Sequence, residues 1–128
     1  WQAAGVNIFT LVDAIGKREP KKALNLLARM LTDGTDPLYL LNMIARQMRI
    51  IFKIKALAGS SQLEKQLGLH PFVVKQCQQQ AQGFKWTARD QIFKALLEAD
   101  LALKSSQEAA MVLERLVLEL SCGREKKV

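Results

Sequence analysis

The sequence predicts an all-α fold, a single helical bundle of six to seven helices. Apolar residues recur every three or four positions along most of its 128 residues, and no stretch alternates with period two for long enough to suggest a strand. Glycine and proline interrupt this pattern at intervals typical of helix ends. A chain of this length buries roughly two thirds of its unfolded surface, so one core suffices.

The first two helices are predicted from their caps and apolar stripes. Asn7 is expected to cap the first helix, and Gly16 to end it. Pro20 suits the first turn of the second helix, which ends at Gly34. The residues predicted to face the core are Ile8, Leu11, Val12 and Ile15 in the first helix, and Ala23, Leu26, Leu27, Met30 and Leu31 in the second.

The third helix is predicted to be the central one. Asp36 caps it, Pro37 occupies its first position, and it runs to about Ala58. Because it is apolar on two sides, it is expected to pack on two sides. One stripe comprises Leu41, Ile44, Ala45, Met48, Ile51 and Phe52, and the other Leu40, Met43, Ile50, Ile54 and Leu57.

Four shorter segments complete the bundle. Ser61 begins a capping-box pattern, S-Q-L-E, for a fourth helix that ends at Gly68, and His70 precedes a fifth that reaches about Gly83. Thr87 is predicted to cap the sixth helix. The inward residues of the last two helices are predicted to be Ile92, Leu96, Ala99 and Leu103, then Ala109, Val112, Leu113, Leu116, Val117 and Leu120.

Several single residues are expected to have structural roles. Cys77 and Cys122 are interpreted as reduced thiols in the core of a cytoplasmic protein, and His70 as a residue that starts a helix. Trp86 is expected to pack over the bundle. The four methionines are interpreted as core fillers: Met30, Met43, Met48 and Met111. Since the chain begins at Trp1, we expect residues 1–128 to be one domain of a longer protein.

The positive charge is concentrated in one part of the chain. The net charge is +7, and residues 37–85 hold seven basic residues against the single acid Glu64. Arg46, Arg49 and Lys53 are spaced i, i+3 and i+7, which places them on one face of the third helix. Such a stripe is either a solvated face or a surface that contacts an acidic partner or phosphates.

The sequence predicts no catalytic, cofactor-binding or metal-binding residues. The Gly16-Lys17 pair lacks the hydroxyl residue and the first glycine of a phosphate-binding loop. Glu98 and Asp100 are two residues apart and so point to different faces of a helix. Neither cysteine has a partner at metal-ligand spacing.

An alternative interpretation of residues 63–77 is a helix-turn-helix that binds DNA in a transcription regulator. Gly68 supplies the turn, Val74 an anchor for the second helix, and the following glutamines could pair with adenine. Glu64 departs from this motif, because two crossing helices usually need a small residue there. The other interpretation is a helical hairpin with a solvated glutamine face.

The ordered segments also resemble the C-terminal domain of the bacterial DNA polymerase III delta subunit, over about residues 6–120. Each segment alone is an ordinary leucine-rich helix, but their order and spacing are more specific. Cys77, Trp86 and the glutamines at 78–80 depart from the pattern of that family. The resemblance is carried by residues 8–15, 21–27, 37–41, 44–49, 67–75, 97–104 and 113–118.

This resemblance implies a role in DNA replication. The domain would be the oligomerisation, or collar, domain of a clamp-loader subunit, joined in a ring to the corresponding domains of the gamma/tau and delta prime subunits. The sliding clamp would be contacted only by other domains of the parent protein. The chain itself would have no catalytic apparatus and at most weak, non-specific contact with DNA.

Overall fold

The structure, a computed structural model, describes residues 2–58 and 63–122, and these contain seven α-helices and no strand. The helices are α1 (Gln2–Gly16), α2 (Pro20–Thr32), α3 (Pro37–Ala56), α4 (Leu63–Leu67), α5 (Pro71–Ala81), α6 (Arg89–Leu103) and α7 (Ala109–Cys122). A short 3₁₀ turn, Trp86–Ala88, precedes α6. The all-α prediction is confirmed. No helix in these ranges is both long enough and apolar enough to cross a membrane.

The helix ends follow from local chemistry. Asp36 caps α3, because its carboxylate accepts a 3.0 Å hydrogen bond from the Tyr39 amide. His70 caps α5 in the same way, its Nδ1 accepting from the Phe72 amide at 3.0 Å. Gly34 and Gly68 have positive φ angles where α2 and α4 end. The predicted capping residue Ser61 lies outside the described residues.

Two of the predicted caps are wrong. Asn7 lies inside α1, which begins at Gln2. Thr87 does not cap α6, since it lies within the 3₁₀ turn and the residue before the helix is Ala88, without a side-chain cap.

The core forms where α3 and α7 meet the other long helices. α3 packs against α1, α5, α6 and α7, and α7 also packs against α1, α2 and α6. The central position predicted for α3 is therefore confirmed. Both of its stripes are wholly or partly buried, and the side chains most completely enclosed in the bundle include Leu11, Leu27, Leu40, Ile44, Met48, Ile51 and Leu113.

A buried amide pair joins three helices. The Gln47 side chain on α3 donates to Gln80 Oε1 on α5 at 2.8 Å, and the Gln80 amide donates to the Phe9 carbonyl of α1 at 3.0 Å. Both glutamines are more than nine tenths buried. Because each buried amide has a partner, the pair fixes how α5 lies against α1 and α3.

Two core assignments on α7 need correction. Met111 is 56% exposed and Cys122 is also exposed, whereas Met30, Met48 and Cys77 are buried as predicted. The buried stripe of α7 lies at 112, 113, 116, 117 and 120. Positions 111 and 122 fall on the opposite side of the helix at 3.6 residues per turn.

Candidate functional site: a basic, aromatic groove

A groove of about 550 Å³ lies between α3 and α6 and contains the basic stripe predicted from the sequence. Arg46, Arg49 and Lys53 line its α3 side, and all three are exposed. None of them takes part in an ion pair within residues 2–58 and 63–122. The structure therefore brings the three predicted residues together on one surface of the groove.

The other wall of the groove contains residues that the sequence did not indicate. Trp86 from the 3₁₀ turn and Arg89 and Phe93 from α6 face the basic stripe. The remaining lining is apolar and consists of Ile50, Phe52, Ala56 and Leu67. We call the whole set, Arg46, Arg49, Ile50, Phe52, Lys53, Ala56, Leu67, Trp86, Arg89 and Phe93, the basic groove.

Aromatic contacts hold the second wall in place. The Phe52 ring lies 6.1 Å from Trp86 and 5.8 Å from Phe93, centroid to centroid, with tilted and edge-on geometries that aromatic pairs favour. The Arg89 guanidinium lies 5.5 Å from the centre of the Trp86 ring, in a cation–π arrangement. Trp86 packs over the bundle as predicted, yet it stays 50% exposed.

A close contact between Gly83 and Gly16 precedes the segment that forms this second wall of the groove. A Cβ on Gly83 would lie 2.8 Å from the Gly16 carbonyl oxygen, so only glycine lets the backbone approach α1 so closely. Phe84 then enters the core, where its ring packs on Gly16. This contact fixes the start of the segment that places Trp86 over Phe52.

The charge in the groove is nearly all positive. Its lining has four cationic side chains and no carboxylate. One carboxylate lies at the edge, where Asp90 accepts from Arg89 at 2.8 Å; the Asp90 side chain is 93% exposed. The arrangement suits the binding of an anionic group. Among the described residues there is no cluster of three His, Cys, Asp or Glu side chains that could hold a metal ion.

Four exposed apolar side chains lie on α6 and α7, two on each helix. Leu97 and Leu101 lie one turn apart on α6 and are 58% and 59% exposed, while Met111 and Leu118 lie two turns apart on α7 and are 56% and 41% exposed. α6 and α7 pack side by side. We call these four residues the outer apolar face.

The segment considered for a helix-turn-helix has a different arrangement. α4 spans five residues, and α5 packs against α3 with Val74, Cys77 and Gln80 buried. Gln76, Gln78, Gln79 and Gln82 are exposed, but Gln80 belongs to the buried amide pair. The glutamine-rich helix therefore packs against the bundle through one face.

Comparison with known proteins identifies the class. A family model described as "DNA polymerase III delta subunit, C-terminal domain" matches residues 6–120. The Bacillus subtilis DNA polymerase III subunit delta is 29% identical over 125 residues, covering 94% of this chain and 36% of that protein. The structure of the B. subtilis DNA clamp loader delta protein superposes with a TM-score of 0.83 at 27% identity, covering 93% of this chain and 37% of that one.

The fold and these matches define an all-helical domain of a clamp-loader protein. The chain belongs to the family of C-terminal domains of DNA polymerase III delta subunits. It spans little more than a third of the length of either relative. The family agrees with the resemblance seen in the sequence, and the comparisons do not favour the alternative of a transcription regulator.

Proposed function

We propose that residues 1–128 form the collar domain through which a delta subunit assembles with the gamma/tau and delta prime subunits of the clamp loader. The observation that carries this proposal is the family match over residues 6–120 together with the likeness to a clamp loader delta protein. The domain would support loading of the sliding clamp during DNA replication in the cytoplasm, and other parts of the parent protein would contact the clamp.

The outer apolar face supports a role in assembly. Its four side chains keep about half of their surface exposed, on two neighbouring helices. Apolar surface of this kind becomes favourable to bury when a partner covers it, and large apolar side chains commonly anchor such interfaces. We assign this face to the neighbouring collar domains of the clamp loader.

The proposed role requires no chemistry from this chain. The candidate site has donors of hydrogen bonds and aromatic rings, but no nucleophile paired with a base. The chain would thus act as a structural, non-catalytic part of the DNA polymerase III holoenzyme. ATP binding and hydrolysis would belong to other subunits.

The experiment uses the parent delta protein with and without residues 1–128, co-purified with gamma/tau and delta prime from the same organism. We expect the truncated protein to lose its place in the complex. Binding of the truncated protein to the sliding clamp serves as the control, because it shows that the rest of the parent is folded. If the truncated protein assembles normally, the collar assignment is wrong.

A further inference from the structure

We infer that α4 and α5 open from the bundle as one unit, and that the buried amide pair of Gln47 and Gln80 is the latch that holds this unit closed. The motion lies within this domain and does not depend on assembly with other subunits. Three features support it: the elements against which α5 packs, the polar character of its buried face, and the anchored segment that follows it in the chain.

α5 packs against one side of the bundle. Its main contacts are with α3, and it also contacts α1 and α4. The long helices α1, α2, α3, α6 and α7 pack extensively against one another, so they can keep these contacts while α5 is detached. Because α4 spans only five residues and contacts α5, we expect the two helices to move together.

The buried face of α5 holds little apolar surface. It consists of Val74, Cys77, Gln80 and Ala81, whereas α7 buries three leucines and two valines. Since the free energy gained by burial grows with the apolar area removed from water, α5 is held less strongly than α7. Segments with little buried apolar surface are those that open without unfolding the whole domain.

Hydrogen bonds supply much of the attachment of α5. Gln47 donates to Gln80 at 2.8 Å, and Gln80 donates to the Phe9 carbonyl at 3.0 Å. Lys55 Nζ on α3 donates to the carbonyl of Ala81, the last residue of α5, at 3.1 Å. These bonds fix the closed position, but water can replace them when α5 opens. The attachment is therefore specific without being strong.

The segment after α5 is anchored. Phe84 is buried with its ring against Gly16, and Gly83 lies close to the Gly16 backbone. This contact provides a fixed end about which α5 can move without displacing Trp86. Leu67 of α4 lines the basic groove. Opening would remove Leu67 from the lining and leave the cations of α3 in place, so the position of α4 and α5 determines the shape of the groove at that end.

The first experiment measures how fast Cys77 reacts with dithiobis-nitrobenzoate in the 128-residue chain carrying Cys122→Ser, which removes the exposed thiol. Cys77 is 2% exposed on the buried face of α5, so the reagent reaches it only when α5 is open. We expect the rate to rise with urea much less steeply than global unfolding does, because opening exposes a smaller surface. A rate with the full urea dependence of global unfolding would overturn the inference.

The matched control destabilises the rest of the bundle. Val117→Ala removes buried apolar volume from α7, which packs against α1, α2, α3 and α6. It should lower the urea concentration at the midpoint of unfolding but leave the rate of Cys77 modification without urea unchanged. An increase in that rate equal to the loss of global stability would mean that Cys77 reacts only through global unfolding.

The second experiment tests the latch. Gln80→Met leaves the Gln47 amide with only the Cys77 sulfur as an acceptor, and we expect Cys77 to react about tenfold faster. Gln47→Met combined with Gln80→Met replaces both amides by apolar chains of similar shape, and the rate should return to that of the original chain or fall below it. Circular dichroism checks that each variant keeps its helices. A single variant that reacts at the original rate, or a double variant that reacts as fast as the single one, would show that the amide pair is not the latch.

Discussion

The basic groove and the outer apolar face share helix α6 but differ in how they are built. The groove combines residues from α3, α4, the 3₁₀ turn and α6, and its charged groups are all cations. The apolar face is made by two helices that follow one another in the chain. Electrostatic attraction between charged surfaces extends over about a Debye length and is weakened by salt, whereas apolar side chains stabilise a complex only when they are in contact. One bundle can therefore carry two separable activities.

The largest effect that separates the two surfaces is expected from Leu97→Glu combined with Leu101→Glu. Two charges would have to be buried at the proposed interface with other collar domains, so association with gamma/tau and delta prime should weaken at least about 100-fold. Folding should change little, because both side chains are more than half exposed. Co-purification and urea denaturation measure the two quantities.

A matched charge change elsewhere provides the control. Gln76→Glu combined with Gln79→Glu adds the same two charges on the exposed side of α5. We expect this variant to assemble normally. If both pairs weaken assembly alike, the outer apolar face is not the interface.

The two surfaces also differ in how far the sequence predicts them. Arg46, Arg49 and Lys53 are predictable because helical spacing is a local pattern that a single segment displays. Trp86, Arg89 and Phe93 are not, since their approach to α3 depends on tertiary packing around Phe52. A tryptophan close to an arginine in a turn is the one signal in the sequence that could have suggested them.

Prediction is most accurate where one residue determines the local geometry. Asp36 and His70 are expected at helix starts, and both accept a hydrogen bond from a backbone amide there. Prediction from the sequence fails where contacts with other parts of the fold determine the local conformation. Thr87 matches a capping pattern, yet it lies in a 3₁₀ turn and does not cap α6. The adjacent Trp86 in that turn packs against Phe52 of α3. Gln80 lies in a run of glutamines of which most are exposed, and only the fold reveals that it pairs with Gln47.

An intermediate effect is expected from Gly83→Ala, which should affect the groove more than the apolar face. The new Cβ would meet the Gly16 backbone at 2.8 Å, so the segment leading to Trp86 must shift. We expect a loss of about 1–3 kcal/mol in the free energy of unfolding. Oligonucleotide binding, the weak and non-specific DNA contact expected for this domain, should weaken further than partner association at a temperature where the variant is folded.

Gly34→Ala provides the comparison for that substitution. Gly34 has a φ of +93°, but a Cβ at this position would have no atom within 4 Å, so the variant has only backbone strain, about 1 kcal/mol. It should leave both surfaces intact. Equal loss of oligonucleotide binding in the two variants would show that general destabilisation, and not the close contact with α1, disturbs the groove.

The smallest effect is expected from Asp90→Asn, and it is a gain. Asp90 is the carboxylate at the edge of the groove, and its ion pair with Arg89 is exposed, so the pair contributes at most about 1 kcal/mol to folding. Removing its charge frees Arg89 for a phosphate, and we expect about twofold tighter binding of a single-stranded oligothymidylate at low salt, without a change in partner association. Asp33→Asn removes the same charge from the end of α2 and should leave binding unchanged. Because the predicted change is an increase, a damaged fold cannot imitate it, and a twofold gain confined to Asp90→Asn would locate the anion beside Arg89.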